Sequence, residues 1–478
     1  MNFKMVFNTI GKVCSIEAVL MILPVITCII YGERSSLIAF LITMGILVFT
    51  GVLLSVLFKP KDHTIYAREG FSIVALVWLL VSAFGALPFV ISKSIPRFVD
   101  AFFETVSGFT TTGASILDNV EALSHGMLLW RSFTHFIGGM GFLVFVMAVI
   151  PNLSDRSIHI MRAEMPGPVV GKIVPKAKDT AKILYLIYLA MTVLQIILLF
   201  IGKMPLFDSI VISFGTAGTG GFSIKGDSIA SYSPYCQWII GVFMILFGVN
   251  FNLYYLMLIR RFRSVFKSSE LWCYLSVIGV STAVVTLNIY KTFSTSLREA
   301  FFQVASIITT TGYSTVDFDR WPLTSKSILL ILMIIGACAG STGGGLKVSR
   351  AAILVKSAKR AINKLIHPRA VSNVRFEGKA VENETIFGIS VYFGVYILCL
   401  ITVFLLISFE PFDIETNVSA TVSCFNNIGP GFAAVGPALS YSGYSQFSKV
   451  VLSFAMLLGR LEIYPLLIAL SPSTWTKK

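Results

Sequence analysis

The sequence predicts an all-α polytopic membrane protein: four tandem helix–pore loop–helix repeats around one pore, plus two extra N-terminal transmembrane helices. Three observations carry this prediction. The composition is too apolar for water, apolar runs of bilayer length recur from end to end, and a short Thr/Gly-rich stretch returns four times at equivalent places.

Of the 478 residues, 55% are hydrophobic and only 13% charged, against about 25% charged in soluble domains. Apolar runs lie near residues 13–31, 35–57, 70–92, 127–150, 181–202, 236–259, 271–290, 325–355, 385–408 and 447–470. Each is long enough to cross a hydrocarbon core about 30 Å thick. No soluble domain of ordinary size fits between them. The chain opens with Lys4 and Lys12 ahead of an apolar run, as a secretory signal does. No small-residue cleavage site follows and a second run begins at once, so a retained helix is expected. The seven cysteines are odd in number, widely spaced and without a CxxC pair, which predicts buried thiols and neither a disulfide framework nor a metal site.

The formal net charge of +14 would suit nucleic acid or acidic lipid if it were gathered on one face. Instead, 26 of the 38 Lys and Arg residues fall in alternate connections: the amino terminus, 59–68, 156–182, 260–267, 347–379 and the carboxyl terminus. The positive-inside rule then places these segments, and both termini, on the cytoplasmic side. The basic charge is read as topology, with membrane lipid and not nucleic acid as the partner.

The remaining connections hold shorter, semi-polar stretches that end in a Thr/Gly cluster and are too short to span. AFFETVSGFTTTGAS at 101–115 matches AFFQVASIITTTGYS at 300–314 at nine of fifteen positions without a gap. Weaker copies are SIVISFGTAGTGGFS at 209–223 and VSATVSCFNNIGPGF at 418–432. Each copy follows one apolar run and precedes the next. The expected units are a helix pair at 1–58, then repeats at 59–152, 153–262, 263–360 and 361–478. Loops that enter from one face in parallel order imply a pseudo-fourfold axis along the membrane normal.

The aligned tetrads are Thr110-Thr111-Thr112-Gly113, Gly218-Thr219-Gly220-Gly221, Thr309-Thr310-Thr311-Gly312 and Asn426-Asn427-Ile428-Gly429. A potassium filter replaces the ion's hydration shell with backbone carbonyls from four loops. Glycine enters the positive φ such loops need at low cost, and Thr adds hydroxyl oxygens. Non-helical backbone at membrane depth must be buried in protein or line water. The candidate ion-binding set is therefore Thr111, Thr112, Gly113, Thr219, Gly220, Gly221, Thr310, Thr311, Gly312, Asn427, Ile428 and Gly429. The second and fourth tetrads differ from the Thr-Thr-Thr-Gly of the others, and Pro430 follows the last, so the ring is expected to depart from strict fourfold symmetry.

Asp100, Glu104, Asp208, Glu299, Asp413 and Glu415 lie at or near short-helix starts and are expected as caps and dipole partners. Asp118, Asp227, Asp317 and Asp319 follow the tetrads and are candidates for a cation-concentrating vestibule. The eighth run is broken by GACAGSTGGG, whose glycine density cannot hold a continuous helix. Gly336, Gly340, Gly343, Gly344 and Gly345 are read as a gate. Gly345-Leu346-Lys347 lacks the Gly-Lys adjacency of a phosphate-binding loop. Arg460, in mid-run beside Glu462, is a functional candidate because intramembrane charge is costly. Residues two apart on a helix do not face each other, so Arg460 is expected to point away from Glu462. Arg131 and His135, at i,i+4 spacing, are expected to be structural, and His63, His125, His159 and His367 show no ligand spacing.

These residues resemble the Trk/Ktr superfamily of bacterial potassium uptake proteins, specifically the Trk-type pore-forming subunit. The resemblance rests on the four Gly-centred loops, GACAGSTGGGLKVSR at 336–350, GRLEIYPLL at 459–467 and RAEMPGPVVGKIVPKAKDTAKILY at 162–185. It implies K+ as the transported ion with no organic cofactor, a homodimer with one pore per subunit, and residence in the bacterial cytoplasmic (inner) membrane. It also implies a cytoplasmic ring of nucleotide-binding regulatory subunits, and a gate built from the 336–345 loop with Arg460 beside it. The competing class is an ion-coupled K+ symporter driven by Na+ or H+. A membrane enzyme is not expected, because no acid/base pair, nucleophile–His pair or metal-ligand spacing is present.

Overall fold

The computed structural model describes residues 2–60, 67–141, 177–290, 292–369 and 372–475. His63, His159, the second half of the fourth apolar run, and most of the basic segment 156–182 with its sequence motif lie outside the described residues. The expected boundary between the first two repeats does too.

The expected helix pair is present. Phe3–Tyr31, slightly broken at Met21, and Arg34–Leu57 form a hairpin turned by Gly32 in the left-handed conformation. The two helices cross where Gly11 meets Gly51, since a methyl group on either would lie 2.8 Å from the other's carbonyl oxygen. Small residues give such close approach in apolar surroundings, where packing and not water expulsion holds helices together.

Four units follow, each a long helix, a short helix and a second helix. The long helices are Ala67–Ile91, Ala177–Ile201, Ser269–Asn288 and Asn383–Ile407. With the N-terminal pair they make up the six helices that are long and apolar enough to cross a bilayer among the described residues. The short helices are Phe98–Phe109, Leu206–Gly218, Phe293–Ile308 and Ile414–Asn426, each running into its tetrad. Most of their residues are buried.

The second helices correct the expectation of ten full spans. They cover His125–Gly139, Pro234–Phe247, Leu323–Ile335 and Gln446–Arg460, only 13 to 15 residues each, or roughly 20 Å at 1.5 Å per residue. Three start on a serine cap, with Ser124, Ser233 and Ser445 accepting from the backbone N–H three residues on, the expected N-terminal device. The run 236–259 turns by 90° between Phe247 and Phe251. The run 325–355 opens into residues 336–347, as its glycines predict, before Val348–Ile366 resumes. The run 447–470 breaks at Leu461–Ile463, where Glu462 and Ile463 take positive φ, and restarts at Tyr464. The first and last of these breaks fall inside runs that read as single spans.

The seven cysteines are free thiols, five of them buried. Asp413 caps the fourth short helix through the Thr416 N–H at 3.0 Å. Asp413→Ala should remove about 1 kcal/mol of stability and lower the thermal midpoint in detergent without altering the assembled fold.

Candidate functional site

Each short helix ends in the same hydrogen-bonded motif. The N–H of the second tetrad residue (Thr111, Thr219, Thr310, Asn427) bonds to the carbonyl three residues back, at 3.0, 3.0, 3.0 and 3.4 Å. The N–H of the third residue (Thr112, Gly220, Thr311, Ile428) bonds to the carbonyl five residues back, at 2.8, 2.8, 2.8 and 3.0 Å. This is the Schellman ending, which needs the first of the two donor residues in the left-handed conformation. The second residues supply it with φ of 55°, 53°, 59° and 57°, although glycine or asparagine is the usual occupant. Gly113, Gly221, Gly312 and Gly429 then take φ of 82°, 78°, 84° and 100°. Four unequal sequences therefore share one hydrogen-bonded backbone motif, with the fourth departing most, at Gly429.

The four segments close on one another. A methyl group on Gly113 would overlap the Gly220 carbonyl oxygen; on Gly221, that of Thr311; on Gly312, that of Ile428; and on Gly429, that of Thr112. The order 1→2→3→4→1 is a ring with glycine at every junction, so each glycine is required twice, for φ and for contact. The segments are almost wholly buried.

Side chains behind the ring differ by repeat. In the first and third, the hydroxyls of Thr110 and Thr112 pair at 2.8 Å, and those of Thr309 and Thr311 at 2.7 Å. In the fourth, Asn427 Nδ2 donates to Thr112 Oγ1 at 3.0 Å and to the Met456 carbonyl at 2.9 Å, and Tyr396 donates to Asn426 Oδ1 at 2.9 Å. Tyr313, just after Gly312, latches the third repeat to the second by donating to the carbonyls of Ile212 and Phe222. Thr111 Oγ1 and Asn427 Oδ1 are buried and find no hydrogen-bond partner among the described residues.

On one side of the ring lies a cavity of about 420 Å³, lined by all four ring glycines and by Asp118. Asp227, Asp317 and Asp319 do not line it, which corrects the expected vestibule. Asp317 pairs with Arg320 at 2.9 Å, and Asp319 shares Lys326 with Glu415. Asp100 pairs with Lys449 at 2.8 Å. Glu104, with no exposed side-chain surface, binds Arg131 at 2.7 Å and accepts from Ser115 and the Ile116 N–H; Arg131 also lies 4.0 Å from the centre of the Phe222 ring. Asp118 accepts from Ser440 and Ser442, which ties the first repeat's loop to the fourth's. Those two hydroxyls hold its carboxyl below the usual aspartate range.

On the other side the space narrows to about 30 Å³, bounded by Gly139, Gly340, Gly343, Gly344, Gly345, Lys347, Arg460 and Glu462. That is room for about two waters. The glycine stretch crosses directly beneath the ring: the Gly344 N–H donates to Thr310 Oγ1 at 2.6 Å. A methyl group at Gly344 would overlap the Asn426 carbonyl oxygen, and one at Gly343 would lie 2.8 Å from that of Thr309. The base of the stretch closes where Gly336 abuts Gly345. Its backbone also fills the bend in the second repeat. The N–H groups of Cys338 and Thr342 reach the carbonyls of Gly248 and Phe247, and the Phe251 N–H reaches the Gly340 carbonyl at 3.0 Å. Lys347, buried and itself at positive φ, donates its ammonium to the Gly343 carbonyl.

Arg460 points away from Glu462, as expected. It donates to the Thr342 carbonyl at 2.8 Å, to Gly139 at 2.7 Å and to Gly138. One guanidinium thus joins the fourth repeat, the glycine stretch of the third, and the carbonyl end of the first repeat's second helix, where a cation is favoured. Glu462 instead pairs with Arg350 at 2.5 Å, and Arg350 lies 4.2 Å from the centre of the Tyr392 ring. The sequence reading missed Lys347, Arg350 and Glu104 as parts of this site. A charged residue in an otherwise apolar run was the available signal.

The sequence matches the family described as TrkH, cation transport protein, over residues 36–289 and 289–477. The chain belongs to the TrkH cation transport family. It is 36% identical to the Trk system potassium uptake protein TrkH of Salmonella typhimurium, over 99% of this chain and 100% of that one. It is 33% identical to the Trk system potassium uptake protein TrkG of Escherichia coli K12, over 99% of each. The crystal structure of the potassium transporter TrkH from Vibrio parahaemolyticus superposes with a TM-score of 0.89 at 31% identity, covering 100% of both chains. This TrkH-family chain is therefore an all-α polytopic membrane protein, and its relatives are transporters and not enzymes.

Two predictions follow from the geometry. Glu104→Ala leaves Arg131 as an unpaired charge at depth and should cost roughly 3 kcal/mol or more, read as a fall in thermal midpoint in detergent. The Asp118 carboxyl has a lowered pKa, so its contribution is complete above the ordinary aspartate value near 3.9 and is lost as pH falls through its lower folded value. The segment around Ser440 should stay resistant to an acid protease at about pH 5 and become cleavable near pH 2.

Proposed function

We propose that this chain is the conducting subunit of a potassium uptake system. K+ passes inward through the ring formed by Thr111-Thr112-Gly113, Thr219-Gly220-Gly221, Thr310-Thr311-Gly312 and Asn427-Ile428-Gly429. The observation that carries this reading is the closed ring itself. Four segments with one backbone converge at the carbonyl ends of four short helices, and a helix carries about half a negative charge there. Successive carbonyls on one axis can replace a monovalent ion's hydration shell. Its curated relatives, which bear the name potassium uptake protein, support the choice of ion. The membrane potential supplies the drive, about 2.3 kcal/mol per charge at 100 mV.

The stretch Gly336–Gly345, with Arg460, is the gate in this reading. It blocks the inner side of the ring with backbone rather than side chain, and its glycines allow it to change conformation without steric cost. Arg460 holds it by carbonyl contacts that are local and reversible. The unit boundaries 1–58, 59–152, 153–262, 263–360 and 361–478 describe the helix pair and the four quarters. The chain works as a homodimer in the bacterial inner membrane with both termini cytoplasmic. A nucleotide-binding regulatory ring docks on its basic inner segments, and the relatives' designation as part of a Trk system agrees with a multi-component assembly.

The test is K+ and Na+ flux in liposomes at fixed voltage. Gly312→Ser and Gly113→Ser should each change the K+ to Na+ flux ratio while the protein still inserts; unchanged ratios in both would remove the filter assignment. Deletion of Gly343–Gly345, or Arg460→Ala, should raise basal flux several-fold in a folded protein. Flux that instead requires a Na+ or H+ gradient would identify the coupled symporter.

A further inference from the structure

We infer that His135 is a positioning residue for the second quarter of the ring, occupying the space that the paired threonines fill in the first and third quarters. This rests on the reading of the ring as an ion filter. In the first and third segments the first and third tetrad positions are threonines whose hydroxyls bond to each other behind the backbone. In the second segment both positions are glycine, Gly218 and Gly220. Neither takes a left-handed φ, so backbone conformation does not require glycine at either place.

Space does. A methyl group on Gly220 would overlap Cγ and Nδ1 of the His135 ring, and one on Gly218 would overlap the His135 carbonyl oxygen and lie 3.1 Å from its Cβ. His135 belongs to the second helix of the first repeat, so the missing side chains of one repeat are replaced by a ring from its neighbour. That ring has no solvent exposure and is stacked on Phe222, the residue after the ring glycine Gly221, with centroids 4.3 Å apart. The imidazole therefore touches the segment on both sides of the junction and fixes how far its carbonyls stand from the axis. Close packing transmits such a constraint, since interiors tolerate neither voids nor added volume. His135 and the two glycines form one exchangeable unit.

The test uses the full-length chain in liposomes, with His135→Ala, Gly220→Thr and the double variant, each first checked for a monodisperse peak and thermal midpoint. Gly220→Thr alone should cut K+ flux by about tenfold or more through overpacking. His135→Ala should keep flux but lower the K+ to Na+ ratio by roughly tenfold, equivalent to about 1.4 kcal/mol of discrimination. The double variant should return that ratio to within about twofold of the parent. If Gly220→Thr does not fold, Gly220→Ala with and without His135→Ala reads the same coupling at smaller volume. An unchanged ratio in His135→Ala, or a double variant no better than its worse single, overturns the inference. Gly312→Ser in the same assay separates the two readings: if it shifts the ratio and His135→Ala does not, only the role of His135 fails, and if neither shifts it the filter reading fails as well.

Discussion

The constraint on which this molecule depends is that backbone polar groups at membrane depth must find partners within the protein. All four second helices stop after 13 to 15 residues, and each stop leaves carbonyls without an intrahelical N–H. The glycine stretch answers this for the second repeat, through the N–H groups of Cys338 and Thr342. Arg460 answers it for the first, through Gly138 and Gly139, and holds the Thr342 carbonyl as well. The same contacts that satisfy the broken helices also narrow the space on that side of the ring.

The ring shows how sequence asymmetry can coexist with backbone symmetry. The Schellman ending fixes two hydrogen bonds and one left-handed residue at each helix end, and the glycine junctions fix the distance between neighbours. Neither demand specifies what stands behind the backbone. Threonine pairs serve in two repeats, asparagines held by Tyr396 and Met456 in the fourth, and a histidine borrowed from the adjacent helix in the second. The Thr residues at positive φ are held in an unfavourable region. Such strain persists where the surrounding packing over-determines the conformation.

Charge is treated economically. Most acidic residues near the short helices are paired: Glu104 with Arg131, Asp100 with Lys449, and Asp319 and Glu415 with Lys326. These bridges connect different repeats or successive elements and act mainly as fasteners. Asp118 lines the cavity of about 420 Å³ and also ties two repeats together. On the other side of the ring Arg350–Glu462 holds the restart after the glycine stretch against the break in the last second helix.

The amino-acid sequence by itself determined the solvent, the long helices, the four-fold repetition and the positions of the ring residues, because length, hydropathy and the Thr/Gly spacing are local properties. The glycine density at 336–345 likewise announced its own break. What only the tertiary structure decided was where apolar helices stop and which charges meet. The breaks at Phe247–Phe251 and Leu461–Ile463 lie inside runs that read as single spans, and they are stabilised by donors from other repeats. Arg460 reaching Gly138, and His135 filling the space behind Gly220, join residues far apart in sequence. Such contacts depend on how the repeats close into a ring, and no local pattern encodes that closure.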